Sequence, residues 1–373
     1  MKKKIFLLTA SYGTGHTTAN KYIQKALLDL YNEKIDTITM DFLKMKGYDF
    51  TGNLFQKLYN KSMENPKLWE FAFNISNNKI SQIYFKYMIP LFYSSVYKTF
   101  ERETPNVFVA THPYWIFLVG NYKKKYNKNI PLITVVTDST AIHSTWIDDA
   151  TDYYIVIDGE TKDVLLNFGV ESNKIFVMGF PVNPELGKKI NKVDIISNLG
   201  FDYKLPIILI VIGLGAINKF IKLINLMNEQ LINLPVQALI ITGKYENVYR
   251  ILSLKKYNFK TKIIGWTDRM ADFLRISDIV IAKGGGAIVN ETLAAGKPMI
   301  IPVFVPGQEK GNAYYLKKYG LGFQEQSLEK VVEIVKDLIL SPDKLLQLQN
   351  HISKYNKPDA AINIAKFIYS LIE

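Results

Sequence analysis

Ile279-Val-Ile-Ala282, continued by Lys283-Gly-Gly-Gly-Ala-Ile-Val-Asn-Glu291, decides the fold. Three β-branched residues and an alanine read as a short buried strand, and Ile288–Ala295 reads as the helix that follows it. The triple glycine between them lets the backbone come close to an anion. The helix start adds N–H groups with a partial positive charge, so the turn suits a diphosphate. Gly284, Gly285, Gly286 and Ala287 are the candidate contacts, and Glu291, one turn inside the helix, is placed to accept ribose hydroxyls. Pro306-Gly-Gln-Glu-Lys-Gly-Asn312 then gathers Gln308, Glu309 and Asn312 on an expected turn, suited to sugar hydroxyls. Diphosphate, ribose and hexose together describe a nucleotide sugar.

The same strand–turn–helix grammar extends outward through both halves. Ile5–Thr9 reads as a strand, Gly13-Thr-Gly15 as a turn, and His16–Tyr31 as a helix with an apolar face of Ala19, Tyr22, Ile23, Ala26, Leu27 and Leu30. Strands are expected at Ile35–Met40, Val107–Thr111, Leu132–Thr137 and Tyr153–Ile157. The pattern restarts with strand Ile207–Ile212, turn Gly213-Leu-Gly215 and helix Asn218–Asn233. Ala238–Thr242, Lys262–Gly265, Ile279–Ala282 and Met299–Pro302 follow as further strands. Alternating strands and helices predict two parallel α/β domains, residues 1–182 and 183–373, joined at the hinge Gly179-Phe-Pro-Val-Asn-Pro184. Sites in such sheets open at the carboxyl ends of strands, so both glycine turns are expected to face one cleft. The stretch Ala360–Ile372 is amphipathic and a candidate to pack back on the first domain. Neither G-x-G continues to a third glycine, since Thr18 and Asn218 stand there, and no P-loop motif occurs.

Composition narrows the classes. The chain has 373 residues, 48% of them hydrophobic and 21% charged, enough for two full cores. Without cysteine there is no disulfide, thiolate nucleophile or zinc ribbon. Ile5–Ala10 is too short for a signal-peptide core, and Leu205–Ile217 is broken by Pro206, Gly213 and Gly215, so no spanning segment is expected. A net charge of +12 points to nucleic acid, an anionic membrane, or simply a lysine-rich source. No nucleic-acid motif accompanies the lysines, so no such partner is expected. Asp-x-Asp is absent, and Asp148-Asp149 reads as a solvated loop, so no metal is expected either.

Several motifs in order then carry a resemblance over nearly the whole chain. Ser11-Tyr-Gly-Thr-Gly-His16, Thr111-His-Pro113, Thr137-Asp138 with His143 and Trp146, Gly179-Phe-Pro181, Gly265-Trp-Thr with Met270, and the two stretches quoted first are the residues concerned. The chain resembles the family of monogalactosyldiacylglycerol synthase and processive diacylglycerol glucosyltransferase, which is related to the lipid II GlcNAc transferase. The resemblance implies a GT-B fold, two Rossmann-like domains facing a cleft. It implies inverting transfer of a hexose from a UDP-sugar to diacylglycerol or glycosyl-diacylglycerol. Three departures concern the sugar: Ile212-Gly-Leu-Gly215 replaces a run of glycines, Ile288 a threonine, and Trp266 a phenylalanine.

On this resemblance Gly15, Gly213, Gly265, Trp266 and Met270 join the donor set, and His112, His143 and Trp146 are expected around the acceptor. His16 is the candidate base, because its ordinary pKa suits proton transfer at neutral pH. Asp138 either orients His16 or is itself the base. His351 is assigned nothing. Asn53–Phe100 holds a dozen aromatic residues and six lysines against Glu64 and Glu70. That pattern suits an anionic membrane surface, or else packing between helices. Tyr122–Lys128 adds four lysines. The expected place is peripheral on the inner face of the cell membrane, and the oligomeric state is open. Rival readings are a UDP-sugar transferase with another hydrophobic acceptor, and a non-catalytic sensor of nucleotide sugar and membrane.

Overall fold

Twelve short strands, all parallel to their neighbours, form two six-stranded sheets among the described residues. The computed structural model describes residues 2–11, 15–44, 93–139, 142–304 and 308–373. The chain divides into a first unit, residues 1–184, to which 306–308 and 359–373 return, and a second, residues 185–305 and 309–358.

The first sheet comprises β1 (Lys3–Thr9), β2 (Ile35–Asp41), β3 (Val107–Ala110), β4 (Leu132–Val135), β5 (Tyr153–Val156) and β6 (Ile175–Val177), in the order β2-β1-β3-β4-β5-β6. Its order reverses at β1, which pairs with β2 on one side and with β3 on the other, Leu8 beside Ala110. Both faces are covered, which is why every residue of β3 and β4 is buried. On one face Ile5, Leu7, Val107 and Val109 meet Ile23 and Leu27 of the helix Gly15–Tyr31 and Ile364 and Ile368 of the helix Ala360–Ser370. Tyr31 and Tyr369 stack at 4.0 Å between these two helices. Leu30, expected on the buried face, is exposed.

On the other face Phe6, Phe100, Phe108 and Tyr122 form one aromatic cluster. The helix Tyr93–Glu103 belongs to this core through Val96, Tyr97 and Phe100, so the described end of the aromatic stretch packs inward. The membrane expectation for residues 53–92 lies outside the described residues. Of the four lysines in Tyr122–Lys128, Lys123 pairs with Asp152 at 2.6 Å and Lys128 with Glu101 at 3.0 Å, while Lys124 and Lys125 are exposed.

The second sheet comprises β7 (Ile207–Val211), β8 (Gln237–Ile241), β9 (Lys260–Ile264), β10 (Ile279–Ala282), β11 (Met299–Ile301) and β12 (Gly322–Gln324), in the order β12-β11-β10-β7-β8-β9. Its order reverses at β7, whose Val211 lies beside Ala282 of β10. The helices Ile217–Gln230 and Leu328–Leu340 close its core with Phe220, Leu223, Val331 and Val335. Among the described residues no helix is long and apolar enough to cross a membrane.

Candidate functional site

Each unit places candidate residues beyond the carboxyl ends of its strands, several of them where the sheet order reverses. In the first unit β3 runs out into Thr111 and His112, and β4 into Thr137 and Asp138. His16 is the second residue of the helix after β1 and is buried. Its Nδ1 lies 2.8 Å from the Thr111 carbonyl oxygen and 2.8 Å from Thr137 Oγ1. A carbonyl oxygen only accepts, so Nδ1 carries the proton and Nε2 is the basic nitrogen. The Thr111 hydroxyl donates back to the His16 carbonyl at 3.1 Å and the Leu8 carbonyl at 3.3 Å. Burial lowers the His16 pKa from its ordinary 6.5, against the opposing pull of the Asp138 charge and the Thr111 hydrogen bond.

His112 lies edge-on to His16, ring centroids 4.6 Å apart. Its Nδ1 accepts from the Tyr114 N–H at 3.3 Å, capping the helix Pro113–Lys125. Burial, then the neighbouring His16, drives its pKa well below the ordinary value. His143 has a comparable local task, accepting from the Thr145 N–H at 3.3 Å to cap the short turn Ser144–Trp146. Trp146, expected around the acceptor, is wholly buried in the core with its ring centroid 6.0 Å from that of His16. Its indole N–H donates to Asp138 Oδ2 at 2.8 Å. Ahead of His16, Asp41 at the end of β2 takes the Ser11 N–H at 3.1 Å and the Ser11 hydroxyl, holding the start of the first turn. Residues 12–14 of that turn lie outside the described residues; Gly15 is described, and a Cβ there would meet nothing within 4 Å.

In the second unit the turn after β10 leads into the helix Gly286–Ala294. Its first helical hydrogen bond runs from Val289 N–H to Gly285 O at 3.1 Å. The N–H groups of Gly286, Ala287 and Ile288 precede that ladder and are the orphan donors of a helix start. Gly284 is closely packed: a Cβ there would lie 3.1 Å from Phe304 Cβ, so a side chain would press Phe304 aside. Glu291 is only 5% exposed, so it is a buried carboxylate and not a solvated one.

Gln308, Glu309 and Asn312 lie on a helix, Gln308–Lys318, where a turn was expected. Buried Ala313 and Leu316 anchor that helix despite Gly311. Asn312 Nδ2 donates to the Gly284 carbonyl at 3.0 Å, so its amide holds the glycine turn. Glu309 pairs with Lys283 at 2.9 Å. The Gln308 side chain lies outside the described residues. Gly213 follows β7 and abuts Lys283: a Cβ there would lie 3.3 Å from the lysine stem. Gly265 follows β9, Trp266 is 63% exposed, and Met270 opens the helix Met270–Ile276.

Thr111, Thr137, Asp41 and Lys283 complete these clusters without having been singled out as site residues. Thr137 and Lys283 stand immediately before Asp138 and the triple glycine, which was the available signal. Asp41 had none, because its contact with Ser11 spans thirty residues.

Comparison with known proteins bears on both units. Residues 16–182 match the monogalactosyldiacylglycerol (MGDG) synthase profile, and residues 207–364 the glycosyltransferase family 28 C-terminal domain. A processive diacylglycerol beta-glucosyltransferase of Staphylococcus epidermidis is 28% identical over 99% of this chain and 93% of its own. Monogalactosyldiacylglycerol synthase 3 of Arabidopsis thaliana is 25% identical over 99% of this chain and 81% of its own. Among solved structures, MurG of Acinetobacter baumannii superposes with a TM-score of 0.60 at 14% identity, covering 99% of this chain and 100% of its own. The two Rossmann-like domains are those of the GT-B fold. Over nearly its whole length the chain is thus similar to processive diacylglycerol glucosyltransferases and monogalactosyldiacylglycerol synthases.

Proposed function

We propose that this protein is an inverting glycosyltransferase that moves a hexose from a UDP-sugar to diacylglycerol or glycosyl-diacylglycerol at a membrane surface. The observation that carries the reading is the state of His16. Its Nδ1–H is committed to the Thr111 carbonyl and its Nε2 is the basic nitrogen, kept neutral near pH 7 by burial. In the proposed step the acceptor hydroxyl oxygen bonds to the anomeric carbon as the bond from that carbon to the diphosphate breaks. The hydroxyl proton passes to His16 Nε2, and UDP leaves with the electron pair. Asp138 is the weaker candidate base, since one oxygen is engaged by the Trp146 indole. Its charge favours the imidazolium that His16 becomes.

The second unit would hold the donor. The amides of Gly286, Ala287 and Ile288 meet the charge growing on the diphosphate, and Glu291 takes ribose hydroxyls. β9 lies three strand spacings from β10, about 14 Å, which separates the diphosphate from a base stacked on exposed Trp266. No metal is required in this scheme. The exposed Lys124 and Lys125 suit an anionic bilayer, on the inner face of the cell membrane.

The test is product formation by purified protein on anionic diacylglycerol liposomes, with UDP-glucose, UDP-galactose and UDP-GlcNAc supplied separately and the lipids read by mass spectrometry. A hexosyl-diacylglycerol from one donor is the expected result, and chain length then reports processivity. UDP release without lipid product would remove diacylglycerol as the acceptor.

A further inference from the structure

One side chain ties the glycine turn after β10 to its surroundings. Lys283 leaves the carboxyl end of β10, and its ammonium reaches Glu309 Oε1 at 2.9 Å, with the two side chains only 16% and 12% exposed. Withdrawing both ions from water is costly, and a pair so placed is a poor source of stability compared with apolar packing. The lysine stem is confined as well, because a Cβ at Gly213 would lie 3.3 Å from its Cβ and from its Cδ. On the far side of the pair, a Cβ at Gly285 would lie 3.9 Å from the same Glu309 oxygen. With Asn312 bonded to the Gly284 carbonyl, the first turn of the helix Gln308–Lys318 is registered against the glycine turn by two side chains.

We infer that Lys283 is a positioning residue for donor recognition: it holds the Glu309 carboxylate against the glycine turn, in one place, for hydroxyls of the donor sugar. The inference rests on the UDP-sugar reading above. A glutamate left to itself has several torsions to order when a sugar arrives, and anchoring it beforehand removes that cost from binding. The ammonium therefore serves the sugar through Glu309, while helix amides serve the diphosphate. This division of labour separates two ligands, UDP and UDP-hexose, that share the diphosphate and differ in the sugar.

The experiment is calorimetric titration of the full-length chain with UDP, and with whichever of UDP-glucose and UDP-galactose the wild type binds more tightly. Lys283→Met, Lys283→Arg, Glu309→Gln and the double variant Lys283→Met/Glu309→Gln are compared, each first checked by thermal melt. UDP affinity is expected to stay level in all of them. UDP-hexose affinity is expected to fall about tenfold in Lys283→Met and in Glu309→Gln, the loss of one buried charge-assisted hydrogen bond. The double variant should be no weaker than the weaker single, because the two residues act as one unit. Lys283→Arg, which keeps a cation, should recover part of the loss. Equal losses for UDP and UDP-hexose in Lys283→Met would put the ammonium on the diphosphate and overturn the inference. So would unchanged affinity for both. Should Lys283→Met fail to fold, Glu309→Gln, nearly isosteric, still decides between selective and general loss. A wild type that binds neither nucleotide would instead overturn the donor reading beneath it.

Discussion

The two reversal points in the sheets occupy equivalent places and are furnished in opposite ways. At β1/β3 the site is built from side chains: a buried histidine whose tautomer is set by the Thr111 carbonyl, with a second histidine against its ring. At β10/β7 it is built largely from backbone: a glycine turn, the half-buried start of a helix, and carboxylates held close to both. The difference teaches what each arrangement can do. Moving a proton needs one titratable atom with a defined lone pair. Holding a diphosphate needs several N–H donors that keep their protons at any working pH. A common topology supplies the place, and the residues after each strand supply the chemistry.

The hardest test of this contrast is His16→Ala. Turnover should fall by about a hundredfold or more, while calorimetry still records UDP-hexose binding, because the proposed donor groups lie in the other unit. Parallel loss of binding would erase the distinction between the two sites. Next is Glu291→Gln, which keeps the shape of a buried group and removes its charge. The KM for donor should rise about tenfold with kcat little changed in steady-state assays; an effect confined to kcat would move Glu291 out of ribose binding.

The third test sharpens the first site. With His16 as the proposed base, activity should be present above the histidine pKa and lost as pH falls through it. Burial sets that acid limb below the ordinary 6.5. Asp138 pulls in the opposite direction, so Asp138→Asn should move the limb of kcat/KM to still lower pH. Movement upward would show that Asp138 does not act through His16. A smaller effect is expected from His112→Ala, which removes the cap of the helix Pro113–Lys125. About 1 kcal/mol of stability should be lost, read as a lower melting temperature, and His112→Asn should restore it. Finally, EDTA should leave turnover unchanged, whereas recovery of lost activity by added Mg²⁺ would require a metal at the diphosphate.

Much of this fold was legible because its central strands are largely apolar, as in Ile207–Val211 and Ile279–Ala282, with glycine turns after them. β6 and β12 escaped notice: Gly322-Phe-Gln324 has one large apolar residue, and an edge strand of that length is recognised only by its partner. The helix Gln308–Lys318 read as a turn because Pro306, Gly307 and Gly311 punctuate it. Burial of Ala313 and Leu316 and the bond from Asn312 to Gly284 outweigh that local preference. Trp146 was placed near the acceptor by resemblance alone, and its burial in the core and its bond to Asp138 had no signal in the sequence.

By itself the sequence determined the two parallel α/β units, the glycine turns and the kinds of chemistry at their ends, since periodicity and glycine placement are local properties. Only the tertiary structure decided which nitrogen of His16 is basic, which oxygen Trp146 engages, and that Lys283 and Glu309 meet. These depend on residues brought together from 95, 8 and 26 positions apart, and no local pattern encodes a contact between strand ends.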